Sequence, residues 1–378
     1  QAPAARGMTA ADWEGTWSFE IAPEPITDFA QTYETELIVV GEGYSGLCCA
    51  CSAAQRGVKT MIVTGSTAPT CRGGSNNATY SRVMEAAGIA REDFDIENVY
   101  QEEMITANSG RVDMTKWSRY ANSSEEAMNW ILDIVEARGY SACLEGCNTD
   151  PDDPRSPTTM FPASHCFISE DLTFAGIGQI FAVNSLEDEF KQNGGEVFNG
   201  HVARQLTRGG VANGTEGRVD GVIAQNPDGD YVYYKTNKGV IMCAGSYAGN
   251  HEMVDALCYP SLARFIKRYS GYNAKMTETA PVDIDEKMDD GIGHRMMMWA
   301  GAIFEEIDPS YQAWSNDGYW IAAPLAVNNK GERFFNETIS SLSTSFHIFE
   351  LPDGVNYAWQ IMDSSGFDFP ALLPMPGA

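Results

Sequence analysis

The sequence is poor in positive charge and holds no long hydrophobic run. Of its 378 residues, 25 are Lys or Arg and 52 are Asp or Glu, which gives a formal net charge of −27. Nucleic-acid binding and docking on an anionic membrane surface both depend on clustered basic side chains, so this balance argues against both. No stretch of about 18 apolar residues is present, so no membrane-spanning helix is predicted.

Cysteine is also sparse, and its spacing matches neither a disulfide scaffold nor a haem-attachment motif. The nine cysteines are an odd and low number, whereas a disulfide-built fold needs a dense, paired set. The spacing of Cys143 and Cys147 is compatible with a local disulfide or with half of a metal site. No matching His or Cys pair lies nearby in the sequence, so no metal site is predicted. Cys48, Cys49 and Cys51 are interpreted as small packing residues on a helix.

The apolar content of the sequence is sufficient for a globular protein of about two domains. Hydrophobic residues make up 43% and aromatic residues 11%, which excludes a disordered chain. Residues 1–34 are irregular, acidic and proline-containing, and we expect a linker there. The start at Gln1 resembles the remnant of a cleaved leader, which favours an exported protein over a cytoplasmic one.

The pattern changes at Thr35, where a strand–helix–strand unit begins. Residues 37–40 form a short apolar run typical of a buried parallel strand. A helix is predicted over 47–56 with Gly57 as its C-cap, and residues 59–63 form a second buried strand. This order predicts a right-handed βαβ crossover.

Between the first strand and the helix lies Gly41-x-Gly43-x-x-Gly46, a spacing that suits a dinucleotide. The first glycine allows the tight turn, the second lets the backbone approach a pyrophosphate, and the third permits close packing of helix on strand. The helix N-terminus, with Tyr44 and Ser45, then stabilises the anion.

The second strand ends without the acidic residue that usually binds the adenosine ribose. The position is Thr64, followed by Gly65. A threonine hydroxyl accepts one hydrogen bond, whereas a carboxylate binds both ribose hydroxyls, so the backbone or a neighbouring residue must complete the contact.

Two further segments favour FAD over NAD as the dinucleotide. Residues 71–77 include Gly73-Gly74, which lets the backbone run along an extended cofactor. A β-meander is predicted over 196–198, 202–206, 218–225 and 231–235, and a buried strand over 239–245 follows it. This arrangement covers the FAD adenine in flavoproteins with two dinucleotide folds.

The remaining segments are predicted from their hydrophobic periodicity and from the positions of glycine and proline. Helices are expected over 95–140 and 176–193 and from Gly291 to Gly301, with a polar, proline-rich loop over 141–169. His294 is expected on the surface of the last helix.

At these motifs the chain resembles the FAD-dependent fumarate reductase/succinate dehydrogenase flavoprotein superfamily, in particular its single-chain fumarate reductases, urocanate reductases and 3-ketosteroid dehydrogenases. Asp290-Gly291 resembles the family's Gly-Asp-Gly near the flavin, and 327–337 resembles its VN-x-x-G-x-RF-x-NE signature. The matching stretches are 36–57, 72–76, 238–252, 289–302 and 327–337.

The resemblance implies an α/β fold: a Rossmann-like, two-dinucleotide-binding FAD domain with a β-meander, followed by the start of an α+β capping domain. The predicted parts are a linker over 1–34, a FAD domain over 35–340 that is discontinuous in the family, and the cap over 341–378. The family's glycine-rich C-terminal return segment does not occur before Ala378, so a truncated member is expected.

The resemblance also implies that FAD is bound non-covalently. Together with the glycine motif, it predicts a set of cofactor-binding residues: Gly41, Gly43, Tyr44, Ser45, Gly46, Thr64, Arg72, Gly73, Gly74, Ser75, Asn76, Val202, Ala244, Gly245 and Asp290.

The implied activity is reduction of an activated C=C bond by hydride from reduced flavin, but the groups that bind the carboxylates of fumarate are missing. No Arg follows Asn336-Glu337 closely, and no His occurs in 310–314. Aromatic residues occupy this region instead, and either they pack a domain junction or they line a site for an aromatic enoate or enone: Tyr311, Trp314, Tyr319 and Trp320.

Two residues are candidate catalytic groups. The Tyr319 phenol would donate to a carbonyl or carry a proton, and His165 lies in a predicted loop that would lean over the flavin. The expected partners are a small unsaturated acceptor and a cytochrome or quinol-linked electron donor. Because Cys-x-x-Cys-His is absent, a haem carrier must be a separate protein or module. A ketosteroid-type dehydrogenase and a non-catalytic flavin-binding fragment are the alternatives.

Overall fold

The structure falls into two compact units. It is a computed structural model that describes residues 17–71, 76–91, 113–144, 164–168, 178–258, 289–304 and 325–335, with 347–348, 351–352, 355 and 357–361. The first unit comprises residues 1–71 and 183–307, and the second comprises 72–182 and 308–378. The boundaries predicted after residues 34 and 340 differ from these breaks and stay a prediction.

A seven-stranded mixed sheet forms the centre of the first unit. Its strands are β1 Gln31–Val40, β2 Thr60–Val63, β6 Glu196–Phe198, β7 Val202–Arg208, β8 Val211–Ala212, β9 Val219–Gln225 and β10 Tyr231–Met242. They lie in the order β6-β2-β1-β10-β9-β7-β8. The first four of these run parallel, and β10, β9, β7 and β8 pair antiparallel in succession. The carboxyl ends of β1, β2 and β10 therefore meet at one edge, which is where open α/β sheets bind ligands.

Two strands differ from the prediction because their partners are distant in the chain. β10 is one strand over Tyr231–Met242, whereas separate strands were expected over 231–235 and 239–245. It remains paired with β1 on both sides of Gly239, whose φ is +147°. β6 pairs parallel with β2, so it extends the parallel part of the sheet and is not part of the meander.

The first unit contains α1 Tyr44–Gln55, which follows β1, and α5 His251–Leu257 and α6 Ile292–Trp299, which follow β10. α1 and α6 pack on this sheet, whereas α5 packs against Phe19 and Met298. α1 ends at Gln55, one residue before the predicted end, and its C-cap is Arg56, with Gly57 following at φ +76°. Met296 of α6 and Ala300, its C-cap, are buried in the sheet core, which includes Val40 and Val222.

His294 on α6 is half-buried, not a surface residue as expected. Its ring stacks on Phe304 with centroids 6.2 Å apart and meets Tyr247 edge-on at 5.1 Å. Burial lowers the pKa of His294 below its ordinary value. The sequence period alone did not reveal this packing because Tyr247 and Phe304 lie outside the helix.

The described part of the predicted linker, residues 17–34, packs on the first unit. Phe19 is buried against Met253 and Leu257 of α5, and its carbonyl oxygen accepts a hydrogen bond from Trp299 Nε1 at 2.9 Å. β1 itself begins at Gln31, earlier than the predicted start at residue 37. These residues belong to the folded unit because their apolar side chains find partners that are far away in sequence.

The second unit is mixed α and β. Its helices are α2 Arg82–Ala86 and α3 Met114–Glu136, and α4 Gln179–Gln192 spans the break between the units. β3 Asn76–Asn77, β5 Ser164–Ile168 and β4 Ser141–Leu144 form an antiparallel sheet in that order, and β11 Leu325–Val327 pairs with β12 Trp359–Ile361. The loop predicted over 141–169 thus contains two strands.

Within the described ranges, none of the helices combines the length and the apolar character that crossing a bilayer requires. The same residues contain no group of three or more His, Cys, Asp or Glu side chains arranged to hold a metal ion.

Candidate cofactor site

The glycine turn between β1 and α1 is closed by two contacts that leave no room for a side chain. Gly41 has φ +104°, and a Cβ there would lie 2.2 Å from the carbonyl oxygen of Cys243. A Cβ on Gly46 would lie 2.1 Å from the carbonyl oxygen of Gly41. Glycine at these two positions therefore allows β1, α1 and the end of β10 to meet.

Gly43 has a different role, because a side chain at this position would meet no close contact. The nearest atom to a Cβ at this position would be Thr70 Oγ1 at 3.9 Å. Gly43 is the N-cap residue of α1, and no side chain caps the first turn. The first N–H groups of a helix lack intrahelical partners and carry its positive dipole end. With Ser45 exposed beside them, these donors fit the diphosphate of a dinucleotide.

A second loop, residues 243–250 between β10 and α5, meets the glycine turn at the carboxyl end of β10. Ser246 N donates to Asp289 Oδ1 at 3.3 Å, and Gly291 N donates to the Ser246 carbonyl at 3.2 Å. A Cβ on Gly245 would lie 3.3 Å from Asp289 Oδ1. The predicted residues Ala244 and Gly245 thus lie against the loop that precedes α6.

Asp290, the family's predicted flavin neighbour, is engaged with its own helix. Its Oδ1 accepts from Ile292 N at 2.8 Å, and its Oδ2 forms an ion pair with Arg295. Asn250 Nδ2 donates to the Asp290 carbonyl at 3.0 Å. Asp290 therefore fixes the start of α6 to the second loop, and its contact with the cofactor stays a prediction.

Thr64 is turned inward at the end of β2. Its side chain is 4% exposed, and its Oγ1 accepts a hydrogen bond from Ser66 N at 3.1 Å. Its carbonyl oxygen accepts from His201 N at 2.8 Å, directly before Val202 at the start of β7. A ribose contact through the Thr64 hydroxyl therefore requires this turn to change, and the roles of Thr64 and Val202 stay predictions.

A buried carboxyl inside the glycine motif was missed by the sequence reasoning. Glu42 is 1% exposed, and its Oε2 accepts from Asn199 Nδ2 at 2.7 Å. Burial, and then the Glu187 carboxylate, raise the pKa of Glu42 to about 8. The raised pKa favours the protonated form of Glu42 at neutral pH, which lowers the negative charge beside the anion-binding turn. The sequence signal that could have revealed Glu42 is an acidic residue between two glycines of the motif.

The predicted residues of the second unit form a separate hydrogen-bond network. His165 lies in β5, not in a loop, and is fully buried. Its Nδ1 donates to the Asn76 carbonyl at 3.0 Å, and its Nε2 accepts from Ser81 Oγ at 2.6 Å. Ser81 Oγ also accepts from Met84 N and so caps α2. Both ring nitrogens are thus engaged within this unit, and the catalytic role of His165 stays a prediction.

Asn76 carries one feature that suits a ligand. Among the described residues, its Nδ2 is buried without a hydrogen-bond partner. Its Oδ1 receives a long contact from Gln179 Nε2 at 3.5 Å. Other predicted site residues lie outside the described residues: Arg72, Gly73, Gly74, Ser75, Tyr311, Trp314, Tyr319 and Trp320.

The glycine turn and the second loop fall within one family match. A family model described as an FAD binding domain matches residues 36–302. This chain belongs to that FAD-binding family. FAD is therefore its cofactor, and the uncapped first turn of α1, where Gly43 adds no side chain, fits the FAD diphosphate.

Comparisons with individual proteins agree with the family. A vinyl phenol reductase from Lactiplantibacillus plantarum is 23% identical over 318 residues, which cover 80% of this chain and 57% of the reductase. The structure of 3-ketosteroid-Δ4-(5α)-dehydrogenase from Rhodococcus jostii RHA1 is similar with a TM-score of 0.62 and 19% identity, covering 91% of this chain and 68% of the dehydrogenase. The structure of a flavocytochrome c3 fumarate reductase is similar with a TM-score of 0.53 and 17% identity, covering 90% of this chain and 54% of the reductase.

These similarities confirm the α/β flavoprotein fold that the sequence predicted. They also show that the chain spans little more than half the length of the vinyl phenol reductase and of the flavocytochrome.

Proposed function

We propose that this chain carries the FAD-binding part of a reductase that acts on a C=C bond conjugated with an aromatic ring. The observation that carries the proposal is membership of the FAD-binding family together with similarity to a vinyl phenol reductase over 80% of the chain. The sequence supports an aromatic acceptor over fumarate, because the expected Arg and His are absent where aromatic residues accumulate.

In this proposal, one set of residues holds the cofactor and another binds and protonates the substrate. Reduced FAD, when bound, supplies a hydride to one alkene carbon. The first turn of α1 holds the diphosphate, and the Ser246–Asp289 contact fixes the second loop beside it. Tyr311, Trp314 and Trp320 are assigned to stack on the aromatic ring. The Tyr319 phenol is assigned to donate a proton to the second carbon and to recover it from solvent.

Single-turnover reoxidation of the reduced, FAD-loaded protein tests this proposal. Anaerobic, dithionite-reduced protein is mixed with a vinylphenol, a cinnamate-like acid, an enone or fumarate. The aromatic acceptors are expected to restore the oxidised-flavin spectrum at least about tenfold faster than fumarate, with stoichiometric saturated product. Tyr319→Phe is expected to slow this step by about 100-fold, whereas Tyr357→Phe, at an exposed tyrosine of the second unit, is the matched control.

Other outcomes would point elsewhere. Reoxidation by fumarate alone would contradict the aromatic acceptor. Bleaching of the oxidised protein by saturated steroid ketones, without reoxidation by alkenes, would establish the dehydrogenase direction instead. Stable FAD binding with no reaction in either direction would leave a non-catalytic flavin-binding protein.

We also infer a separate electron donor of the cytochrome or quinol-linked type. The sequence contains no Cys-x-x-Cys-His haem-attachment motif, so the chain supplies no c-type haem of its own. Anaerobic mixing of the oxidised protein with a reduced cytochrome or a quinol, followed by loss of the flavin absorption, measures this step. No reduction by donors of either type would contradict it.

A further inference from the structure

Two cysteines of the second unit lie directly opposite each other on neighbouring strands. β4 and β5 pair antiparallel, and in their register Cys143 is paired with Cys166. Directly opposite residues of an antiparallel pair carry their side chains on the same face of the sheet. No disulfide joins the two residues in the structure, so both sulfurs are thiols. Strand pairing therefore brings together two thiols that are far apart in the sequence.

The spacing of paired strands suits a disulfide at this position. Opposite Cα atoms of an antiparallel pair lie about 4.5 or 5.5 Å apart, depending on the hydrogen-bonding class of the pair. Both values fall within the range of about 4.4–6.8 Å that disulfides span. The Cβ atoms of opposite residues lie about 4.5–5.5 Å apart, against about 3.5–4.5 Å in a disulfide. Closing the bond therefore needs an approach of about 1 Å and no change of strand register.

The two thiols differ in their access to solvent. Cys166 is 6% exposed, and its Sγ makes a weak contact with the Phe167 carbonyl oxygen at 3.8 Å. Cys143 is half-buried. An oxidant from solution therefore reaches Cys143 first, and Cys166 lies beside it within the sheet.

The pair lies next to two predicted site residues. His165 directly precedes Cys166 on β5, and the register pairs it with Leu144 of β4 and with Asn76 of β3. A covalent bond between β4 and β5 therefore fixes the strand that carries His165.

We propose that Cys143 and Cys166 form a cross-strand disulfide by exchange with a small-molecule disulfide, and that this bond stabilises the sheet β3-β5-β4. The deprotonated Cys143 sulfur attacks one sulfur of the oxidant, whose S–S bond breaks and releases one thiol. The Cys166 sulfur then attacks the Cys143 sulfur of the mixed disulfide, which releases the second thiol. The two cysteines lose two electrons and two protons, and the oxidant gains them as two thiols.

Peptide mass spectrometry of the purified, FAD-loaded protein tests the cross-link. The protein is first reduced, then incubated with oxidised glutathione, blocked with iodoacetamide and digested without reduction. Trypsin cleaves after Arg155, between the two cysteines, and Glu-C endoproteinase cleaves after Glu145, which separates Cys143 from Cys147. We expect a peptide pair joined through Cys143 and Cys166 that disappears with dithiothreitol.

Thermal unfolding tests the stabilisation. A cross-link restricts the unfolded chain more than the folded one. The Tm of the oxidised protein is therefore expected to lie at least about 3 °C above that of the reduced protein, and dithiothreitol should reverse the rise.

Two variants assign the roles of the cysteines. Cys166→Ser is expected to retain glutathione on Cys143 and to show no rise in Tm, whereas Cys147→Ser is expected to behave as the wild type. The proposal is overturned if Cys143 and Cys166 are both recovered as alkylated thiols after oxidation, if Cys147 replaces either of them in the cross-link, or if the cross-linked protein unfolds at the same temperature as the reduced one. The wild-type digest needs no variant, so it decides even if a variant fails to fold.

Discussion

Gly46 is the residue at which packing can be separated from backbone conformation. A Cβ there would lie 2.1 Å from the Gly41 carbonyl oxygen, and its φ is not in the left-handed region. Gly46→Ala is therefore expected to lower the free energy of unfolding by about 1–3 kcal/mol and to weaken FAD binding by at least about tenfold, because the first turn of α1 must shift. Urea unfolding and a fluorescence titration with FAD measure the two effects.

Gly57→Ala is the matched control for that experiment. Gly57 has φ +76° but nothing within 4 Å of a Cβ, so alanine there brings only backbone strain of about 1 kcal/mol. FAD affinity should stay at the wild-type value. If both variants bind FAD equally well, the close contact at Gly46 is not what shapes the site.

Glu42 gives a pH dependence that can be assigned to one side chain. Its pKa is about 8 in the folded chain against an ordinary value of 4.5, so between these values the folded chain holds a proton that the unfolded chain lacks. The stabilisation from this proton is complete below about pH 4.5 and is lost as the pH rises through about 8. Glu42→Gln stays neutral and should flatten this decline, as measured by urea unfolding from about pH 5 to 8.5. Asp228→Asn, at an exposed turn carboxyl, should keep the wild-type slope, and parallel curves for wild type and Glu42→Gln would contradict the assignment.

Among the helices and strands, features that depend on neighbouring residues were predicted correctly from the sequence, whereas pairings between distant segments were not. The Gly41–Gly46 spacing, the helix after it and the left-handed glycine that follows the helix, Gly57, could be predicted because each depends on neighbours within a few residues. The strands in 141–169 were missed because the strands that they pair with lie on β3 and across the loop. Glu42 was missed because its partners Asn199 and Glu187 are more than a hundred residues away.

The start of α2 offers a test at the same scale. Ser81 Oγ caps this helix through Met84 N and also bonds the buried His165 Nε2. Ser81→Ala removes the cap and leaves the imidazole nitrogen without a partner, so the free energy of unfolding should fall by about 2–3 kcal/mol. Circular dichroism during urea unfolding measures this change.

Ser185→Ala on α4 is the matched control. Ser185 is also buried, at 1% exposed, but its Oγ has no hydrogen-bond partner among the described residues. Its replacement should leave stability unchanged or slightly raised. Equal losses for the two variants would mean that the Ser81–His165 bond does not stabilise the fold.

At the scale of the whole molecule, the excess of acidic residues dominates the electrostatics. At a net charge of −27, the acidic side chains repel one another in the folded state, and salt screens this repulsion. Tm is expected to rise by about 3–8 °C between about 0.02 and 0.5 M NaCl and then to level off. Differential scanning calorimetry measures it. A Tm that is constant or falls over this range would show that specific ion pairs outweigh the net charge.

The central claim is that the turn from Gly41 to Gly46 binds the diphosphate of FAD. The most direct measurement is a titration of the purified, folded chain with FAD, followed by its visible spectrum and flavin fluorescence, for wild type and Gly46→Ala in parallel. The wild type is expected to saturate at one FAD per chain, and the variant is expected to bind FAD markedly more weakly. A folded chain that takes up no FAD, or a variant that binds it as tightly as the wild type, would show that this turn does not bind the diphosphate.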